Sequence, residues 1–487
     1  MPEPEALRRS FRIVCRAEQV PLVEDMLSSQ GFVFEPEPFS PLARRLLAEP
    51  FPLGASMAAT WGLIYIQDRS SMLPPLALAP EVGARVLDCC ASPGSKTGLL
   101  AQLVGSAGMV LGNEPSRTRL ATLRRNLAAL NLFQAATCSW PGEGLPMQPD
   151  SWSRILLDPP CSGWGTTDKH PQTTKMWQGD KVRPLISLQR TLLRRAAELL
   201  APGGRMVYST CTTNVDENEA QVRFAVQELG LELVQLEPFP GFVFARPELP
   251  HCEGTLRVDE DASGAQGFFV SCLRKPGACG DAGAGMLART EENTREDGTP
   301  EVRGVARAIA EGRPSREPEN VFKPQPGRYP GRQAGNRGGK SCDSRAKGTG
   351  RGAAGLSGRQ EVPRSLLEEA GLDPSLLPPG EMAVFNGTIH FLPAQALQVL
   401  PESLRWQGMV LGRAGARGPV FSSRLRGLIN TESAAVPRLQ LDDLTALEAL
   451  LQGRSLESGL SGRVANLFWK DLPLGQVALK SGRIILA

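Results

Sequence analysis

Short apolar runs alternate with helical patterns between about residues 81 and 275. The runs predict buried strands, and apolar residues recurring every three to four positions between them predict helices. Such alternation is typical of an α/β sheet with helices on both faces. The last two runs follow each other without a helix, which predicts an antiparallel edge. The predicted strands are ARVLD, GMVLGNE, AATCS, SRILLD, GRMVYST, LELVQLEP and QGFFVSCL; the predicted helices are SKTGLLAQL, SRTRLATLRRNLAAL, SLQRTLLRRAAELL and DENEAQVRFAVQEL.

The pattern outside this region divides the chain into four parts. Residues 1–80 mix a strand-like FRIVC, a helix-like VEDMLSSQ and several prolines, and they predict a small ordered lead-in to the sheet region 81–275. Residues 276–365 lose apolar periodicity and are rich in Gly and Arg, as flexible linkers are. Apolar pattern returns over 366–487 and predicts a small β-rich domain, which ends in a hairpin with its turn at Lys480–Gly482.

Length and composition fit a soluble protein of several domains. A chain of 487 residues, 41% apolar and 22% charged, is too long for one domain and ordinary for globular protein. The start, MPEPEALRRS, lacks the features of a secretory signal, and no long apolar run predicts a membrane span. We therefore expect a cytoplasmic protein with reduced cysteines, and a monomer. Without a C-x-x-C pair, and with three isolated histidines, no metal site is expected.

Charge is concentrated in one part of the predicted linker. Residues 321–360 contain nine Lys or Arg residues and one acidic residue, Asp343, although the formal net charge of the whole chain is only +3. A basic segment of this kind can hold a nucleic-acid backbone through charge alone. It can equally be a solvated tether that binds nothing specific, and the sequence leaves both interpretations open.

Two cysteines follow two predicted strands. Cys161 closes the strand in ILLDPPCSG, and Cys211 follows the strand that begins the motif YSTCTTNVDENEA. This arrangement indicates chemistry in which one sulfur attacks a substrate and the other assists release, which requires a thiol of lowered pKa or a nearby base. Asp158 lies in the same DPPC turn and is the candidate acid, although a structural acid held by backbone N–H groups is the alternative.

A second motif predicts a cofactor loop. LDCCASPGSKTGLL leads from a strand through small residues into a helix, so backbone N–H groups and a helix start would face a ligand. The next strand ends in Glu114, twenty residues after Gly94, about where doubly wound folds have the acid that binds ribose. The loop matches neither the dinucleotide-binding nor the P-loop glycine pattern. A solvated acid at a strand end is the alternative for Glu114.

Four motifs in order resemble the Sun/Fmu-type family of RNA cytosine-5 methyltransferases: QDRSSMLP, DCCASPGSKT, DPPCSGWGTTDKHP and YSTCTTNVDENEA. The resemblance covers about residues 60–275 and implies a Rossmann-like sheet with S-adenosylmethionine as methyl donor. It implies that Cys211 attacks the base, that Cys161 assists breakdown of the adduct, and that Asp158 faces both cofactor and base. The implied cofactor contacts are Cys90, Ala91, Ser92, Pro93, Gly94, Ser95, Lys96, Glu114 and Asp158.

The resemblance also predicts which regions bind RNA. The chain departs from the family pattern at one position. Bacterial small-subunit ribosomal RNA methyltransferases of this family end in a PUA-like RNA-binding domain, which residues 366–487 resemble in pattern, and residues 1–80 would assist in RNA binding. The family usually has an acid after the third strand of the sheet, where this chain has TCSWPGEG. Either Trp140 would stack on the adenine of the cofactor, or Glu143 would substitute for the acid.

Several alternatives stay open on sequence alone. Ribosomal RNA is the expected substrate, and transfer RNA is the nearest alternative. Cys161 is the second candidate for the attacking thiol, as in the DNA cytosine methyltransferases. A non-catalytic RNA-binding assembly factor would not need the chemically active side chains, which are those of Cys161, Cys211, Asp158 and Glu114. A methyltransferase acting on an amine would need no thiol, and its motif would more naturally be N-P-P followed by an aromatic residue.

Overall fold

The computed structural model describes residues 9–166, 182–277, 359–416, 418–431 and 435–486. Most of the predicted linker 276–365, including residues 321–358 of its basic segment, and the end of the motif DPPCSGWGTTDKHP lie outside the described residues. Within the described residues the strands form one four-stranded sheet, one ten-stranded sheet and two five-stranded sheets. The domain boundaries at residues 80, 275 and 365 stay predictions.

The lead-in region is an antiparallel sheet of order β2-β3-β1-β4 with a helix packed beside it. Phe11 and Ile13 of the first strand are completely buried, as the strand-like FRIVC predicted. The helix over VEDMLSSQ is confirmed, and a proline in its first turn lies where the missing N–H group costs nothing. The elements of this region are β1 Ser10–Ile13, α1 Val20–Ser29, β2 Val33–Pro36, β3 Ala43–Ala48, α2 Met57–Thr60, β4 Ile64–Ile66 and α3 Leu73–Leu78.

The large sheet has at its centre the five parallel strands that the sequence predicted. Their order is β7-β6-β5-β8-β9. The middle strands are buried on both faces, as expected for continuous apolar runs in a parallel sheet. The strands and helices are β5 Arg85–Asp88, α4 Ser95–Val104, β6 Met109–Asn113, α5 Arg117–Ala129, β7 Ala135–Cys138, β8 Trp152–Leu157, α6 Arg183–Leu199, β9 Leu200–Thr210 and α7 Glu219–Gln227.

An antiparallel edge completes the sheet beyond β9, which confirms that prediction. The strand that contains FFVSCL, β13, runs antiparallel to β9. The strand that begins in LELVQLEP, β10, pairs antiparallel with the FFVSCL strand. Two further short strands that the apolar pattern did not reveal extend this edge. The elements are β10 Glu232–Val234, β11 Phe244–Ala245, β12 Leu256–Val258, α8 Glu260–Ser263 and β13 Phe269–Arg274.

The carboxy-terminal region contains two five-stranded sheets. The predicted hairpin is confirmed: β23 and β24 pair through Lys480 and Arg483, and Ser481 and Gly482 both have positive φ, as a tight two-residue turn requires. The elements are β14 Gln360–Glu361, α9 Ser365–Glu369, β15 Gly380–Phe385, β16 Thr388–Pro393, α10 Ala394–Val399, β17 Trp406–Gln407, β18 Met409–Gly415, β19 Gly418–Phe421, β20 Arg438–Leu441, α11 Leu444–Leu451, β21 Leu456–Glu457, β22 Val464–Trp469, β23 Leu472–Lys480 and β24 Arg483–Leu486.

One strand of this region belongs to a different sheet from the one predicted. The run WQGMVLGRAG was interpreted as part of the small β-rich domain, but Trp406 and Gln407 pair with Cys138 and Thr137 of β7. Strand β7 is otherwise the last strand on its side of the parallel sheet. An uncovered edge strand has unpaired N–H and C=O groups, so a short strand from elsewhere in the chain satisfies them.

Candidate active site

Four loops meet at the carboxyl edge of the parallel strands. They follow β5, β6, β8 and β9 and comprise residues 89–94, 114–116, 158–163 and 211–214. Because all four strands run in the same direction, their carboxyl ends lie on the same side of the sheet. The residues that the sequence singled out for catalysis or cofactor binding lie in these loops or in the first turn of α4, except Trp140 and Glu143, which follow β7.

The two cysteine side chains are in contact. The Sγ atoms of Cys161 and Cys211 are 3.2 Å apart, and both residues are half-buried. Each cysteine follows one of two adjacent parallel strands, β8 and β9, which explains why loops fifty residues apart in sequence meet. The structure therefore brings together the two thiols that the sequence associated with attack and release.

The surroundings of Cys161 favour its protonated form. The hydrogen bond to Cys211 and the burial of the sulfur raise the pKa of the Cys161 thiol well above its ordinary value, and nearby Asp158 and Glu217 act in the same direction. A thiol with a raised pKa keeps its proton near neutral pH, whereas the thiolate is the nucleophilic form. Cys161 therefore suits the role of hydrogen-bond donor to Cys211 better than that of attacking group.

Lys96 and Asp158 form an ion pair beside the thiols. The Lys96 Nζ atom lies 2.7 Å from Asp158 Oδ2, and the Ser209 hydroxyl donates to Asp158 Oδ1 at 2.8 Å. Burial, the largest single influence, acts to lower the pKa of Lys96, but the charge and hydrogen bond of Asp158 together with the charges of Cys211 and Asp88 outweigh it, and the net pKa is raised. The Lys96 ammonium group therefore keeps its charge beside the two cysteines.

The loop after β5 has the strand–turn–helix form that the sequence predicted. Gly94 has φ +106°, and a Cβ atom there would lie 3.0 Å from Leu123 Cδ1, so glycine is the residue that fits. The Ser92 hydroxyl donates to the Arg119 carbonyl, and Arg119 Nη2 donates back to the Ser92 carbonyl, both at 3.0 Å. Helix α4 begins at Ser95, and no side chain caps its first N–H groups.

An acid that the sequence analysis did not single out lies beneath this loop. Asp88 ends β5 and is 1% exposed; its Oδ2 accepts a 2.7 Å hydrogen bond from the Thr97 hydroxyl. Its other carboxylate oxygen, Oδ1, is buried without a hydrogen-bond partner. Burial raises the pKa of Asp88 to about 6, and the Thr97 hydrogen bond opposes that shift. A buried acceptor without a donor is a position that a ligand can satisfy.

Glu114 lies at the end of β6, as expected, but its carboxylate is covered. It accepts a 2.9 Å hydrogen bond from the Ser116 backbone N–H group, and Arg119 Nη1 lies 3.3 Å from its second oxygen. The Glu114 side chain is 1% exposed. A ribose hydroxyl can reach it only after this cover moves, so its role in cofactor binding stays a prediction.

Comparison with known proteins identifies the region that contains these loops. The profile of the family described as 16S rRNA methyltransferase RsmB/F matches residues 75–274. This part of the chain, residues 75–274, is similar to the RsmB/F methyltransferases. Curated ribosomal RNA small subunit methyltransferase F proteins from Cronobacter sakazakii and Escherichia coli are 36% identical over 279 and 280 residues. These alignments cover 55% of this chain and 57% of each relative, so the chain spans little more than half the length of the relatives it matches.

A solved structure resembles the same part of the chain. It is described as a methyltransferase homologue from Pyrococcus horikoshii, is 33% identical, and covers 56% of this chain and 87% of its own, with a TM-score of 0.48. The match to the RsmB/F profile and the mixed sheet described above agree with the Rossmann-like methyltransferase fold that the four sequence motifs implied.

The loop after β7, where the sequence analysis expected an adenine contact, is organised by a residue that the sequence analysis did not single out. Asn113 donates from Nδ2 to the carbonyls of Cys89 (3.2 Å) and Trp140 (3.0 Å), and its Oδ1 accepts from the Trp140 N–H group. Trp140 is therefore fixed through its backbone and half-buried, whereas Glu143 is exposed. Stacking of Trp140 on adenine and substitution of the acid by Glu143 both stay predictions.

A cavity of about 940 Å³ lies away from the thiols. It is lined by Val82, Gly105 and Ser106, which precede β5 and β6, and so it opens at the amino edge of the sheet rather than at the carboxyl edge. None of the predicted site residues lines it. Its volume is therefore no evidence about the chemistry, which we assign from the thiols and the Lys96–Asp158 pair instead.

Two further findings concern the described residues as a whole. No group of three or more His, Cys, Asp or Glu side chains in them is arranged to hold a metal ion. None of their helices combines the length and the apolar composition needed to cross a membrane.

The sequence analysis missed several buried polar residues that connect the loops. Besides Asp88 and Asn113 these are Gln189, Glu217 and Asn218, all completely buried. Glu217 and Asn218 lie in the motif that contains Cys211, so the signal was present. The signal was a run of polar residues close to a buried strand, where burying a polar side chain without a hydrogen-bond partner would be costly.

Proposed function

We propose that this chain is an S-adenosylmethionine-dependent RNA cytosine-5 methyltransferase that makes 5-methylcytosine in 16S ribosomal RNA through a covalent cysteine–C6 adduct. The observation that carries the proposal is the contact between Cys161 and Cys211 at 3.2 Å, beside the Lys96–Asp158 ion pair. Two thiols and an acid at the carboxyl edge of a methyltransferase sheet supply the groups that the cytosine C5 position needs. A methyltransferase acting on an amine needs no thiol.

Cys211 acts as the nucleophile in this mechanism. The C5 atom of cytosine is a poor nucleophile, and addition of the Cys211 thiolate to C6 moves electron density onto C5. C5 can then accept a methyl group. Loss of the C5 proton to a base and cleavage of the Sγ–C6 bond regenerate the aromatic ring and the free thiol. Cys161 lies against the sulfur that has to leave and assists this breakdown.

Asp158 serves the other side of the ring. When Cys211 adds to C6, N3 takes up a proton from solvent, and the Asp158 carboxylate stabilises the adduct by accepting a hydrogen bond from that N3–H group or from the exocyclic amine. Asp158 is 23% exposed and held by Lys96 and Ser209, so its orientation is fixed while it stays accessible. The same carboxylate borders the loop after β5 and thus faces both the cofactor and the base.

The residues of the loop fit S-adenosylmethionine, which supplies the methyl group when bound. Its amino-acid end has an ammonium and a carboxylate group. The unpartnered Asp88 Oδ1 offers an acceptor, and the uncapped start of α4 offers N–H donors. The residues that would hold it are Cys90, Ala91, Ser92, Pro93, Gly94, Ser95 and Lys96, with Glu114 on the ribose and Asp158 near the methyl group.

The choice of ribosomal RNA as substrate follows from the relatives. The curated proteins at 36% identity are named as methyltransferases of the small ribosomal subunit. The target base has to leave its stack to reach the two thiols, which costs a few kcal/mol and is easiest in a single-stranded or loosely paired segment. Transfer RNA is the alternative substrate that the experiment below distinguishes.

We include a PUA-like RNA-binding role for residues 366–487, assisted by residues 1–80, in the proposal. Ultraviolet cross-linking of the trapped protein–RNA complex, followed by peptide mass spectrometry, tests it. Cross-links in residues 366–486 are the expected result. Cross-links confined to residues 81–275 would remove the case for an RNA-binding carboxy-terminal region.

The proposal is tested by trapping the adduct. The Cys161→Ala protein is incubated with S-adenosylmethionine and either small ribosomal subunits, ribosomal RNA or transfer RNA, and a protein–RNA species is sought on a denaturing gel. We expect an adduct with ribosomal RNA that is absent from the Cys161→Ala/Cys211→Ala protein. An adduct that forms only with transfer RNA would show that transfer RNA, and not ribosomal RNA, is the substrate. No adduct and no methyl transfer with any RNA would favour a non-catalytic RNA-binding factor.

A further inference from the structure

Glu217 is a completely buried carboxylate that binds the loop of Cys161. Its Oε2 accepts hydrogen bonds from the Ser162 N–H group and from Gln189 Nε2, both at 2.9 Å. Its Oε1 accepts from the Ser162 hydroxyl at 2.5 Å and from Asn214 Nδ2 at 3.1 Å. A buried carboxylate is costly unless hydrogen bonds compensate it, and here four do.

The hydrogen bonds around Glu217 also hold Pro160, the residue that precedes Cys161. Gln189 Nε2, which donates to Glu217, also donates to the Pro160 carbonyl at 3.0 Å. Pro160 and Ser162 are the two neighbours of Cys161 in the chain. Both flanks of this cysteine are therefore held by Glu217, directly or through Gln189, while its own side chain stays half-buried at the site.

Asn218, the next residue, does the same for Cys211. Its Oδ1 accepts a 2.5 Å hydrogen bond from the Thr210 hydroxyl, and its Nδ2 donates to the Thr212 carbonyl at 2.9 Å. Thr210 and Thr212 are the two neighbours of Cys211. Asn218 is completely buried, so these bonds do not compete with water.

The two cysteine loops are also joined to each other. The hydroxyls of Ser162 and Thr212, the residues that follow the two cysteines, lie 2.7 Å apart. Further along the first loop, the Gly165 N–H group donates to the Cys211 carbonyl at 3.1 Å. Each loop thus has a principal anchor, although Glu217 also accepts from Asn214 of the Cys211 loop. The anchors are adjacent in sequence, which sets the separation of the two sulfurs.

We propose that Glu217 and Asn218 are positioning residues, Glu217 for the Cys161 thiol and Asn218 for the Cys211 thiol. Neither touches the substrate in this proposal; each acts through the backbone on either side of its cysteine. The assignment of separate kinetic effects rests on the proposed function, because only there do the two thiols have separate roles in release and attack.

Single-atom substitutions separate the two anchors. Glu217→Gln replaces one acceptor oxygen by an NH₂ donor, so an N–H group of Ser162, Gln189 or Asn214 loses its acceptor. Asn218→Asp replaces the Nδ2 donor by an oxygen that faces the Thr212 carbonyl, where two acceptors repel each other. Both changes keep the size of the side chain, so their effects report hydrogen bonding rather than packing.

The two variants should change the amount of covalent adduct in opposite directions. With ribosomal RNA and S-adenosylmethionine, Glu217→Gln is expected to slow breakdown of the adduct, which then accumulates as it does in Cys161→Ala. Asn218→Asp is expected to slow adduct formation. A displacement of about 1 Å in a reacting group costs on the order of 100-fold in rate, and we expect losses of that size.

Glu219→Gln is the matched control. Glu219 is also completely buried and lies two residues from Glu217, but its carboxylate accepts from Arg257 Nη1 at 3.0 Å and from the Glu248 N–H group. We expect this variant to lower the thermal unfolding midpoint while adduct formation and breakdown keep wild-type rates. Equal loss of adduct in all three variants, in proportion to their lower midpoints, would overturn the inference.

A second readout tests the thiol geometry without RNA or cofactor. Phenylarsine oxide condenses with two neighbouring thiols, forming two As–S bonds and releasing water. In the wild-type protein we expect it to protect Cys161 and Cys211 from iodoacetamide, measured by peptide mass spectrometry. Either variant should need about tenfold more reagent, because loosened loops lower the effective concentration of one thiol at the other.

The two readouts fail independently. If the Cys161→Ala protein forms no adduct with any RNA, the proposed function fails, and the arsenical titration alone decides whether Glu217 and Asn218 set the thiol separation. Unchanged arsenical protection in both Glu217→Gln and Asn218→Asp would overturn the inference even if the adduct chemistry is found.

Discussion

The ammonium group of Lys96 lies 2.7 Å from the carboxylate of Asp158, and this ion pair joins the first turn of α4 to the loop after β8. The Lys96 side chain is 13% exposed and that of Asp158 23%, so the pair is largely shielded from solvent. It connects a loop predicted to bind the cofactor with a residue predicted to act on the base. The two predicted groups of residues therefore form one site.

Separating this ion pair should impair catalysis more than stability. We expect Lys96→Met and Asp158→Asn each to lower the rate of methyl transfer by on the order of 100-fold, because each removes a charge beside Cys211. The double variant should lose little more than either single one, since residues that act as a unit are not additive. Single-turnover kinetics on all three proteins measures this; additive losses would show that the two side chains act separately.

The pH dependence of stability should report Asp88. The pKa of Asp88 is about 6 in the folded chain against an ordinary value of 3.8, so between these values the folded state binds more protons than the unfolded state and stability falls as pH rises. Above pH 6 the loss is complete, at most about 3 kcal/mol. Asp88→Asn should therefore raise the thermal midpoint relative to wild type more at pH 7.5 than at pH 4.5.

The same Asp88→Asn variant should bind S-adenosylhomocysteine more weakly, because the unpartnered oxygen becomes a poorer acceptor or an NH₂ donor. Calorimetric titration measures this affinity. A variant with wild-type affinity for this cofactor product would remove Asp88 from the cofactor site, whatever its effect on stability.

Glu114→Gln tests the predicted ribose contact. We expect the affinity for S-adenosylhomocysteine to fall about tenfold, while methyl transfer at saturating cofactor stays near the wild-type rate, because Glu114 does not reach the thiols. Glu143→Gln is the matched comparison, since Glu143 is exposed at the neighbouring loop. A larger loss in Glu143→Gln would make that residue the substitute for the missing adenine-side acid.

Arg426 should be essential for joining the carboxy-terminal region to the rest of the chain. It is fully buried and donates to the carbonyls of Val14, Trp61 and Gly62 at 2.9, 3.0 and 2.6 Å. Arg426→Ala leaves these carbonyls without a donor, and we expect a loss of roughly 3 kcal/mol in the free energy of unfolding. Thermal unfolding compared with Arg424→Ala, an exposed neighbour, measures it; equal midpoints would contradict the expectation.

This contact also affects how RNA binding is studied. If the carboxy-terminal region binds RNA, deleting residues 366–487 is expected to lower the affinity for RNA more than the affinity for the cofactor. The deletion also removes Arg426 and the strand Trp406–Gln407 that covers β7. Weakened RNA binding in the truncated protein would therefore have two explanations, which is why cross-linking of the intact chain is the better measurement.

The sequence by itself determined the succession of strands and helices along the central region of the chain, and it located Cys161, Cys211, Asp158 and the loop around Gly94 at the ends of strands. Apolar periodicity defines a strand or helix from local residues, and parallel strands necessarily bring their carboxyl ends to one edge. The alternation of strands and helices therefore sufficed to predict that two distant cysteines share that edge.

Only the tertiary structure decided which side chains touch there. The ion pair of Lys96 with Asp158, the anchors Glu217 and Asn218, and the pairing of Trp406 with β7 join residues that no local pattern relates. Such contacts depend on how whole elements pack and on which buried polar groups must find partners. The periodicity of apolar residues predicts which face of an element a side chain lies on. Which other side chain it contacts depends on how the elements pack in the complete fold.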